Sequence, residues 1–275
     1  MTDTKPVLIL GGTGKTGRRL AERLTSQGIP VRIGSRSGSP RFDWEVPETW
    51  EPAMQGVGAV YISYYPDIAV PGAAETVGAF ARLAVANGVT RMVLLSGRGE
   101  TEAQRAEEMV KASGADWTIL RCAWFSQNFS EGFLVESLRQ GEVALPVGPV
   151  GEPFVDVDDI ADAAFVALTE PGHVGQLYEL TGPRLLSFAD AVAEIAKATG
   201  RDIRYIKISH DEFTAATAAY ELPPEIAWLL NELFTEVLDG RNETLTDGVQ
   251  RVLGRAPKDF SAYANETAAT GIWSN

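Results

Sequence analysis

Cysteine is almost absent from this chain of 275 residues, and Cys122 is its only one. A single thiol excludes an intramolecular disulfide and fits a reducing compartment. No segment approaches the roughly 20 consecutive apolar residues that a membrane-spanning helix needs. Residues 1–6 lack the basic start and the apolar stretch of a secretory signal. The sequence therefore predicts a cytoplasmic protein with no membrane partner.

Basic residues are also scarce, since 24 lysines and arginines stand against 37 aspartates and glutamates, for a formal net charge of -13. Nucleic-acid backbones and anionic lipid surfaces attract clustered positive charge, so this balance argues against direct binding to either. The expected partner is a small-molecule substrate. With 45% hydrophobic residues, the chain is able to bury the sizeable core of a globular protein.

Only two histidines occur, which argues against histidine-dependent hydrolysis and against a histidine metal site. His173 lies in a Pro-Gly-His turn, and His210 lies in Ser-His-Asp-Glu, the pattern of a helix-capping box. The acidic residues Asp156, Asp158 and Asp159 admit a hard-metal site as one interpretation. The last two also suit the first turn of a helix, where carboxylates bind free amides. The sequence favours that helix start and predicts no metal.

Strand-like and helix-like segments alternate over the first two thirds of the chain. The apolar runs 7–10, 59–62 and 92–95 are typical of buried parallel strands. Residues 73–87 carry the apolar spacing of a helix, and Gly88 follows where a helix would end. This alternation predicts an α/β fold with a doubly wound parallel sheet covered by helices.

The pattern loosens after residue 121, where aromatic residues and then a cluster of glycines and prolines appear. The sequence predicts a sheet domain built from residues 1–125 plus about 153–182. Residues of about 126–152 plus 183–275 are predicted to form a smaller, mostly helical substrate lobe.

The strongest motif is Gly-Gly-Thr-Gly-Lys-Thr-Gly at 11–17, between a predicted strand and a predicted helix. Three glycines spaced three apart allow a tight turn, close approach of a pyrophosphate to bare amides, and close packing of the helix on the strand. A nucleoside-triphosphate P-loop is excluded, because the glycine that it needs at position 9 is an isoleucine. The turn predicts a Rossmann-type dinucleotide site. Its predicted cofactor-binding residues are Gly11, Thr13, Gly14, Lys15, Thr16 and Gly17.

Cofactor preference is predicted from the end of the second strand, which reads Gly-Ser-Arg-Ser at 34–37. A site for NADH places an acid there for the ribose hydroxyl, whereas arginine accommodates the 2'-phosphate of NADPH. No acid occurs between residues 31 and 41. Ser35 and Arg36 therefore favour NADPH/NADP over NADH, with a solvated basic loop as the alternative.

Three further residues are predicted to line the cofactor crevice, because ligands lie beyond the carboxyl ends of such strands. Asp43, after a third predicted strand, is placed to accept a hydrogen bond from the adenine amino group, and a plain surface carboxylate is the alternative. Ser63 and Ser96 end later strands and are predicted beside the ribose and nicotinamide.

Aromatic residues follow the predicted strand at 117–120, at the edge where ligands bind in such sheets. The sequence predicts that some of them line an apolar substrate pocket, while the filling of a core explains them equally well. The predicted pocket residues are Trp124, Phe125, Asn128, Phe129 and Phe154.

With these motifs in place, the chain resembles the NmrA-like branch of the atypical short-chain dehydrogenases/reductases. It is most similar to the festuclavine and agroclavine dehydrogenase type. Besides the glycine turn, the resemblance rests on the segments Phe-Asp-Trp at 42–44, Arg-Cys-Ala-Trp-Phe-Ser-Gln-Asn-Phe at 121–129 and Pro-Phe-Val-Asp-Val-Asp-Asp at 153–159. The resemblance implies an NADP-binding Rossmann fold. It also implies either a reductase of quinones and imines or a silent redox sensor that binds a regulatory protein.

Two departures from the family pattern bear on catalysis. Cys122 stands where relatives usually carry proline after the arginine. None of the seven tyrosines is followed four residues later by lysine, so the usual proton-shuttling pair is absent. We therefore expect an NADPH-dependent reductase of a flat, electrophilic imine, iminium or quinone, with Tyr64 or Tyr65 as the acid if one is needed. The alternative is a non-catalytic NADP(H) sensor with a protein partner.

Overall fold

The computed structural model describes residues 5–218 and 224–274, and the chain divides into two compact units. Unit 1 comprises Met1–Cys122, Asp158–Glu179 and Gly248–Arg255, and unit 2 comprises Ala123–Val157, Leu180–Asp247 and Ala256–Asn275. The strands, in chain order, are β1 (Val7–Leu10), β2 (Val31–Gly34), β3 (Ala59–Ile62), β4 (Arg91–Gly97), β5 (Asp116–Cys122), β6 (Glu142–Leu145), β7 (Gln176–Leu180) and β8 (Arg204–Lys207). The helices are α1 (Lys15–Ser26), α2 (Trp50–Met54), α3 (Ala73–Ala86), α4 (Thr101–Lys111), α5 (Leu134–Gln140), α6 (Val157–Thr169), α7 (Phe188–Thr199), α8 (His210–Ala218), α9 (Pro224–Glu232), α10 (Gly248–Leu253) and α11 (Phe260–Ala268).

The core of unit 1 is a six-stranded sheet in the order β2-β1-β3-β4-β5-β7. The pairs from β2 to β5 are parallel, and Val7 of β1 lies opposite both Val31 of β2 and Ala59 of β3. Every residue of β1 and β3 is buried. Burial of both alternating faces requires cover on each side of the sheet. The predicted doubly wound α/β fold is confirmed.

Helix α3 shows how apolar spacing produces this cover. Val77, Phe80 and Ala84 lie one helical turn apart, and all three are fully buried. The helix ends before Gly88, whose φ of 79° is the left-handed conformation that glycine adopts after a helix. Gly78 brings α3 close to α4, because a Cβ at that position would lie 2.8 Å from the Cβ of Met109.

Unit 2 combines a two-stranded parallel sheet, β6 with β8, and helices around an aromatic core. A capping box begins α7, where Ser187 and Asp190 bond each other's backbone amides. The same arrangement begins α8, since Ser209 and Glu212 also exchange such bonds. The predicted capping box around His210 is therefore present.

The sequence placed residues 248–255 in the helical part of the chain, but this segment, with α10, belongs to unit 1. The reason is a close backbone approach at Gly248, where a Cβ would lie 2.0 Å from the carbonyl oxygen of Glu179. Arg255 adds ion pairs to Asp159 and Asp162 at 2.6 Å each. Such distant pairing leaves no local pattern in the sequence. The substrate role assigned to the helical part stays a prediction.

Candidate functional site

The glycine turn connects β1 to α1 with bare backbone. Gly11 has a φ of 71°, and the amide of Gly14 donates to its carbonyl oxygen at 2.9 Å. Gly14 is also the N-cap of α1 and supplies no side-chain cap. The first turn of a helix has amides without intrahelical acceptors and carries the positive end of the helix dipole. The turn is therefore chemically suited to a diphosphate.

Close packing explains why glycine is required at two positions of this turn. A Cβ at Gly17 would lie 2.3 Å from the carbonyl oxygen of Gly11 and 2.8 Å from the Cα of Gly12. A Cβ at Gly12 would lie 2.6 Å from Cδ1 of Ile33. Thr13 is exposed. Thr16 is buried, so it would contact a cofactor through its backbone amide.

The end of β2 exposes Arg36, with Ser35 partly exposed beside it. Asp43 lies nearby, but its carboxylate accepts a 2.5 Å hydrogen bond from Arg41 and a 3.2 Å bond from the amide of Glu45. The hydrogen bond from Arg41 holds the pKa of Asp43 below its ordinary value. These two bonds order the loop and leave further acceptor positions on the carboxylate.

The contact between Asp43 and adenine stays a prediction, but the third strand predicted ahead of it is wrong, because residues 35–43 form turns, bends and irregular loop. The loop leads instead into a 3-10 turn at Pro47–Thr49 and then α2. The carbonyl oxygen of Asp43 accepts from the indole of Trp50, which begins that helix, at 2.8 Å. Short segments of this kind lack the alternation that identifies a strand.

The residues after β3 lie along the glycine turn and the end of β2. Ser63 touches the turn, because a Cβ at Gly11 would lie 3.1 Å from its Oγ. The ring of Tyr64 packs 4.9 Å from that of Trp44, and burial raises the pKa of its hydroxyl. Tyr65 is 63% exposed, and its ring lies 5.6 Å from the guanidinium carbon of Arg36.

The role of Tyr64 or Tyr65 as catalytic acid stays a prediction, and their placement argues against it. Both rings contact residues that follow β2, on the flank of the sheet where the adenosine half of a dinucleotide binds. Hydride chemistry belongs to the opposite flank, beyond β4 and β5. The sequence showed that the two tyrosines end β3, but not the direction in which the loop turns.

Ser96, predicted beside the nicotinamide, is buried instead. Its hydroxyl donates to Glu107 of α4 at 2.7 Å. Glu107 is fully buried and forms a two-bond pair with Arg121 of β5, whose Nη1 donates to Glu179 at 2.9 Å. The prediction for Ser96 is wrong because a carboxylate from a distant helix takes its hydroxyl. This network joins the carboxyl ends of β4, β5 and β7.

We expect Glu107→Ala to lower the free energy of unfolding by about 3–5 kcal/mol, because it removes a fully buried carboxylate together with its bonds to Arg121 and Ser96 and leaves Arg121 only its contact with Glu179. The control is Glu108→Ala, since Glu108 is exposed and its ion pair with Lys111 lies at the surface. That change should cost at most about 1 kcal/mol. Urea unfolding followed by tryptophan fluorescence measures both. Equal losses of unfolding free energy in the two variants would show that the buried ion pair stabilises the protein no more than the surface pair does.

The five predicted pocket residues of unit 2 separate into two groups. Trp124, Phe125 and Asn128 are partly exposed in the structure. Phe129 and Phe154 are buried, with exposures of 0% and 2%, and their ring centroids lie 5.4 Å apart. Phe129 and Phe154 are core residues, so the prediction that they line a pocket is wrong. The sequence analysis had named the filling of a core as the alternative, and the packing of these two rings against other aromatic rings supports that alternative.

Phe129→Ala is accordingly expected to destabilise the protein by about 3–5 kcal/mol, the usual cost of removing a large buried ring. Phe133→Ala is the matched control, because Phe133 is 47% exposed on the same segment. Its loss should cost no more than about 1 kcal/mol. Thermal and urea unfolding measure both variants. A small effect at Phe129 would contradict its place in the core.

Asp67 is a charged neighbour of the glycine turn that the sequence analysis did not single out. It lies in the loop after β3, and its Oδ1 accepts from the amide of Ala69 at 2.9 Å. Burial raises the pKa of Asp67, while the Ala69 bond and the charge of Lys15 oppose that rise. Its carboxylate therefore influences the lysine of the glycine turn. The sequence feature that could have drawn attention to Asp67 is that an acidic residue closely follows the end of a predicted strand.

The part of the chain that the structure describes gives little support to a reactive thiol, a metal site or a membrane span. Burial raises the pKa of the Cys122 thiol well above its ordinary value, so the reactive thiolate is disfavoured. Asp158 and Asp159 lie in the first turn of α6, as predicted. Across residues 5–218 and 224–274, no three His, Cys, Asp or Glu side chains form a metal-binding group. The helices of these same residues are all too short or too polar to cross a bilayer.

The chain matches a family model described as NAD(P)H-binding over residues 11–171. It is 32% identical to the uncharacterized oxidoreductase YesF of Bacillus subtilis, with 99% of each chain covered. It is 31% identical to festuclavine synthase II of Penicillium roqueforti, over 94% of this chain and 96% of that protein. These matches confirm the resemblance inferred from the motifs.

A solved structure supports the same fold. The NADPH complex of the NADPH-dependent quinone oxidoreductase QOR2 from Escherichia coli superimposes with a TM-score of 0.79. The match covers 94% of this chain and 99% of that chain, at 23% sequence identity. At this identity the likeness establishes the Rossmann-like architecture, and the chemistry has to be argued from the residues of the chain itself.

Proposed function

The chain belongs to the NAD(P)H-binding family and is an NAD(P)H-dependent oxidoreductase. From this premise we propose that it transfers hydride from NADPH to a small, flat, apolar acceptor of the imine, iminium or quinone class. The observation that carries the proposed acceptor class is the absence of a tyrosine followed four residues later by lysine. Without that pair, the chain lacks the usual means of protonating an alkoxide during reduction of a simple carbonyl.

Imines in their protonated form, and quinones, need less help from a protein acid. Hydride addition to the carbon of an iminium gives a neutral amine and NADP+, with no proton transfer in the same step. A quinone takes the hydride and one proton, which solvent supplies, and becomes a hydroquinone. For both acceptors, orienting the two reactants accounts for much of the rate.

Several properties of the chain support this proposal. The glycine turn is suited to the diphosphate, and Arg36 at the end of β2 is suited to a 2'-phosphate. In unit 2, Trp124 and Phe125 keep part of their flat surfaces exposed, which suits an aromatic acceptor. The quinone oxidoreductase of similar fold is named for an acceptor of the same class. The net charge of -13 favours a cationic acceptor over an anionic one, most strongly at low salt.

The test measures oxidation of NADPH with a panel of quinones, cyclic imines and enones. Transfer of deuterium from NADPH labelled at the nicotinamide C4 to the product identifies true hydride transfer. We expect turnover of at least one quinone or imine and none of simple ketones. Tight binding of NADPH without turnover of any acceptor would contradict the proposal. If NADPH and NADP+ then bound equally, the result would favour the sensor.

A further inference from the structure

The contact between Arg36 and Tyr65 joins two loops that the sequence separates by nearly 30 residues. The guanidinium carbon of Arg36 lies 5.6 Å from the centroid of the Tyr65 ring, within the range of a cation–π contact. Both side chains are exposed, and Tyr65 is the most exposed large hydrophobic residue in the described part of the chain. An aromatic ring that stays exposed to solvent contributes little hydrophobic stabilisation to the protein.

The topology places this contact above the glycine turn. Strands β2 and β3 both pair with β1, one on each side. Since neighbouring strands lie about 4.8 Å apart, the ends of β2 and β3 are separated by about 10 Å. Arg36 and Tyr65 reach toward each other across that gap, beyond the carboxyl end of β1. The turn that begins at Gly11 lies at the same strand end.

The contact also fixes which parts of the guanidinium remain available. A guanidinium is planar, with two faces for stacking and an edge of N–H donors. The guanidinium carbon lies over the Tyr65 ring and Arg36 is exposed, so the side of the guanidinium turned away from that ring, with its N–H donors, is accessible to a ligand. The residue before Tyr65 in the chain, Tyr64, packs on Trp44. A purine ring suits the open face, and a phosphate suits the edge.

We propose that Tyr65 is a positioning residue for cofactor selection: its ring holds the Arg36 guanidinium ready for the adenosine 2'-phosphate of NADPH. This inference rests on the proposed function, because it presumes that Arg36 reads the phosphate. Tyr65 acts through the face of its ring, and its hydroxyl takes no part. The residue that the sequence predicted as an acid is therefore assigned to cofactor specificity.

Two substitutions separate the ring from the hydroxyl. Tyr65→Ala should weaken NADPH binding about fivefold, in line with loss of an exposed cation–π contact, and leave NADH affinity unchanged. Tyr65→Phe should restore NADPH affinity, because the phenyl ring keeps the contact. With an acceptor from the panel, Tyr65→Ala should raise the KM for NADPH and leave kcat unchanged. Val174→Ala, which trims another exposed apolar residue of unit 1, is the control for nonspecific effects.

A double-mutant cycle tests whether Tyr65 works through Arg36. Once Arg36→Ala has removed the guanidinium, adding Tyr65→Ala should change NADPH affinity by less than about twofold. Tryptophan quenching with NADPH and NADH gives all four affinities, and urea unfolding checks that each variant is folded. Additive losses would overturn the inference, and so would a Tyr65→Phe enzyme with normal affinity and greatly reduced kcat. A wild-type protein that binds no NADPH would instead refute the proposed function.

Discussion

Replacing Gly17 with valine is expected to lower the affinity for NADPH by at least about 100-fold, since displacement of a binding group by about 1 Å has effects of this size. A Cβ at this position would lie 2.3 Å from the carbonyl oxygen of Gly11 and 2.8 Å from the Cα of Gly12. Both neighbours are backbone atoms, so no side-chain rotation relieves the clash. The helix must move away from the strand, and the turn must change shape.

The movement affects binding because the turn is an ordered hydrogen-bonded unit. The amide of Gly14 donates to the carbonyl oxygen of Gly11, the same atom that the new side chain would strike. Breaking this bond redirects the amides that are suited to the diphosphate. Overpacking should also lower the free energy of unfolding by about 1–3 kcal/mol. Isothermal titration with NADPH and urea unfolding separate the two effects.

Gly148→Ala is the matched control, because a Cβ there meets only the end of the Lys207 side chain at 3.5 Å. Its NADPH affinity and stability should stay close to those of the wild type. If Gly17→Val kept normal NADPH affinity while remaining folded, the glycine turn would not be the cofactor site. The other cofactor residues were assigned from their position relative to this turn, so their assignments would lose their support as well.

Strands β1 and β3 of unit 1 could be predicted because they are short, apolar and fully buried. The sequence bounds of β1 and β3 agree with the structure, since each is a four-residue apolar run bordered by glycine or polar residues. Helix α3 was similarly clear from its spaced apolar residues and the glycine after it. In these elements, local pattern and tertiary environment favour the same structure.

Strand β6 and helix α5 could not be predicted because their stability comes from distant residues. The four residues of β6 alternate between exposed and buried and lie in a region rich in glycine and proline. Their partner is β8, and Glu142 pairs with Arg204, far along the chain. Helix α5 is only seven residues long. Segments this short carry too little periodicity to be identified alone.

The candidate site shows the same division. The glycine turn was predictable because its glycines have local geometric reasons that a sequence displays. Ser96 and Phe129 were placed wrongly because burial is decided by partners from elsewhere, Glu107 for the serine and other aromatic rings for the phenylalanine. The contact of Tyr65 with Arg36 could not be predicted because it depends on the path of a loop. The end of a predicted strand therefore shows at which edge of the sheet a residue lies, but not what its side chain contacts.

Arg36→Asp is expected to lower NADPH affinity by at least about 100-fold and to leave NADH affinity within about threefold. Each hydrogen bond from a charged group contributes about 1.5–3 kcal/mol, and loss of this contact is followed by repulsion between the new carboxylate and the 2'-phosphate. NADH carries a ribose hydroxyl in that place, which donates to a carboxylate. Tryptophan quenching with each nucleotide measures both affinities.

The size of the NADPH effect should fall as salt increases, because Arg36 is exposed and its field is screened. Arg82→Asp on α3 makes the same change of charge at another exposed position, so it measures the long-range field alone. A solvated basic loop with no cofactor contact would make the two variants behave alike. It would also weaken both nucleotides equally, since the diphosphate is common to them. Only a contact with the 2'-phosphate makes the loss specific both to position 36 and to NADPH.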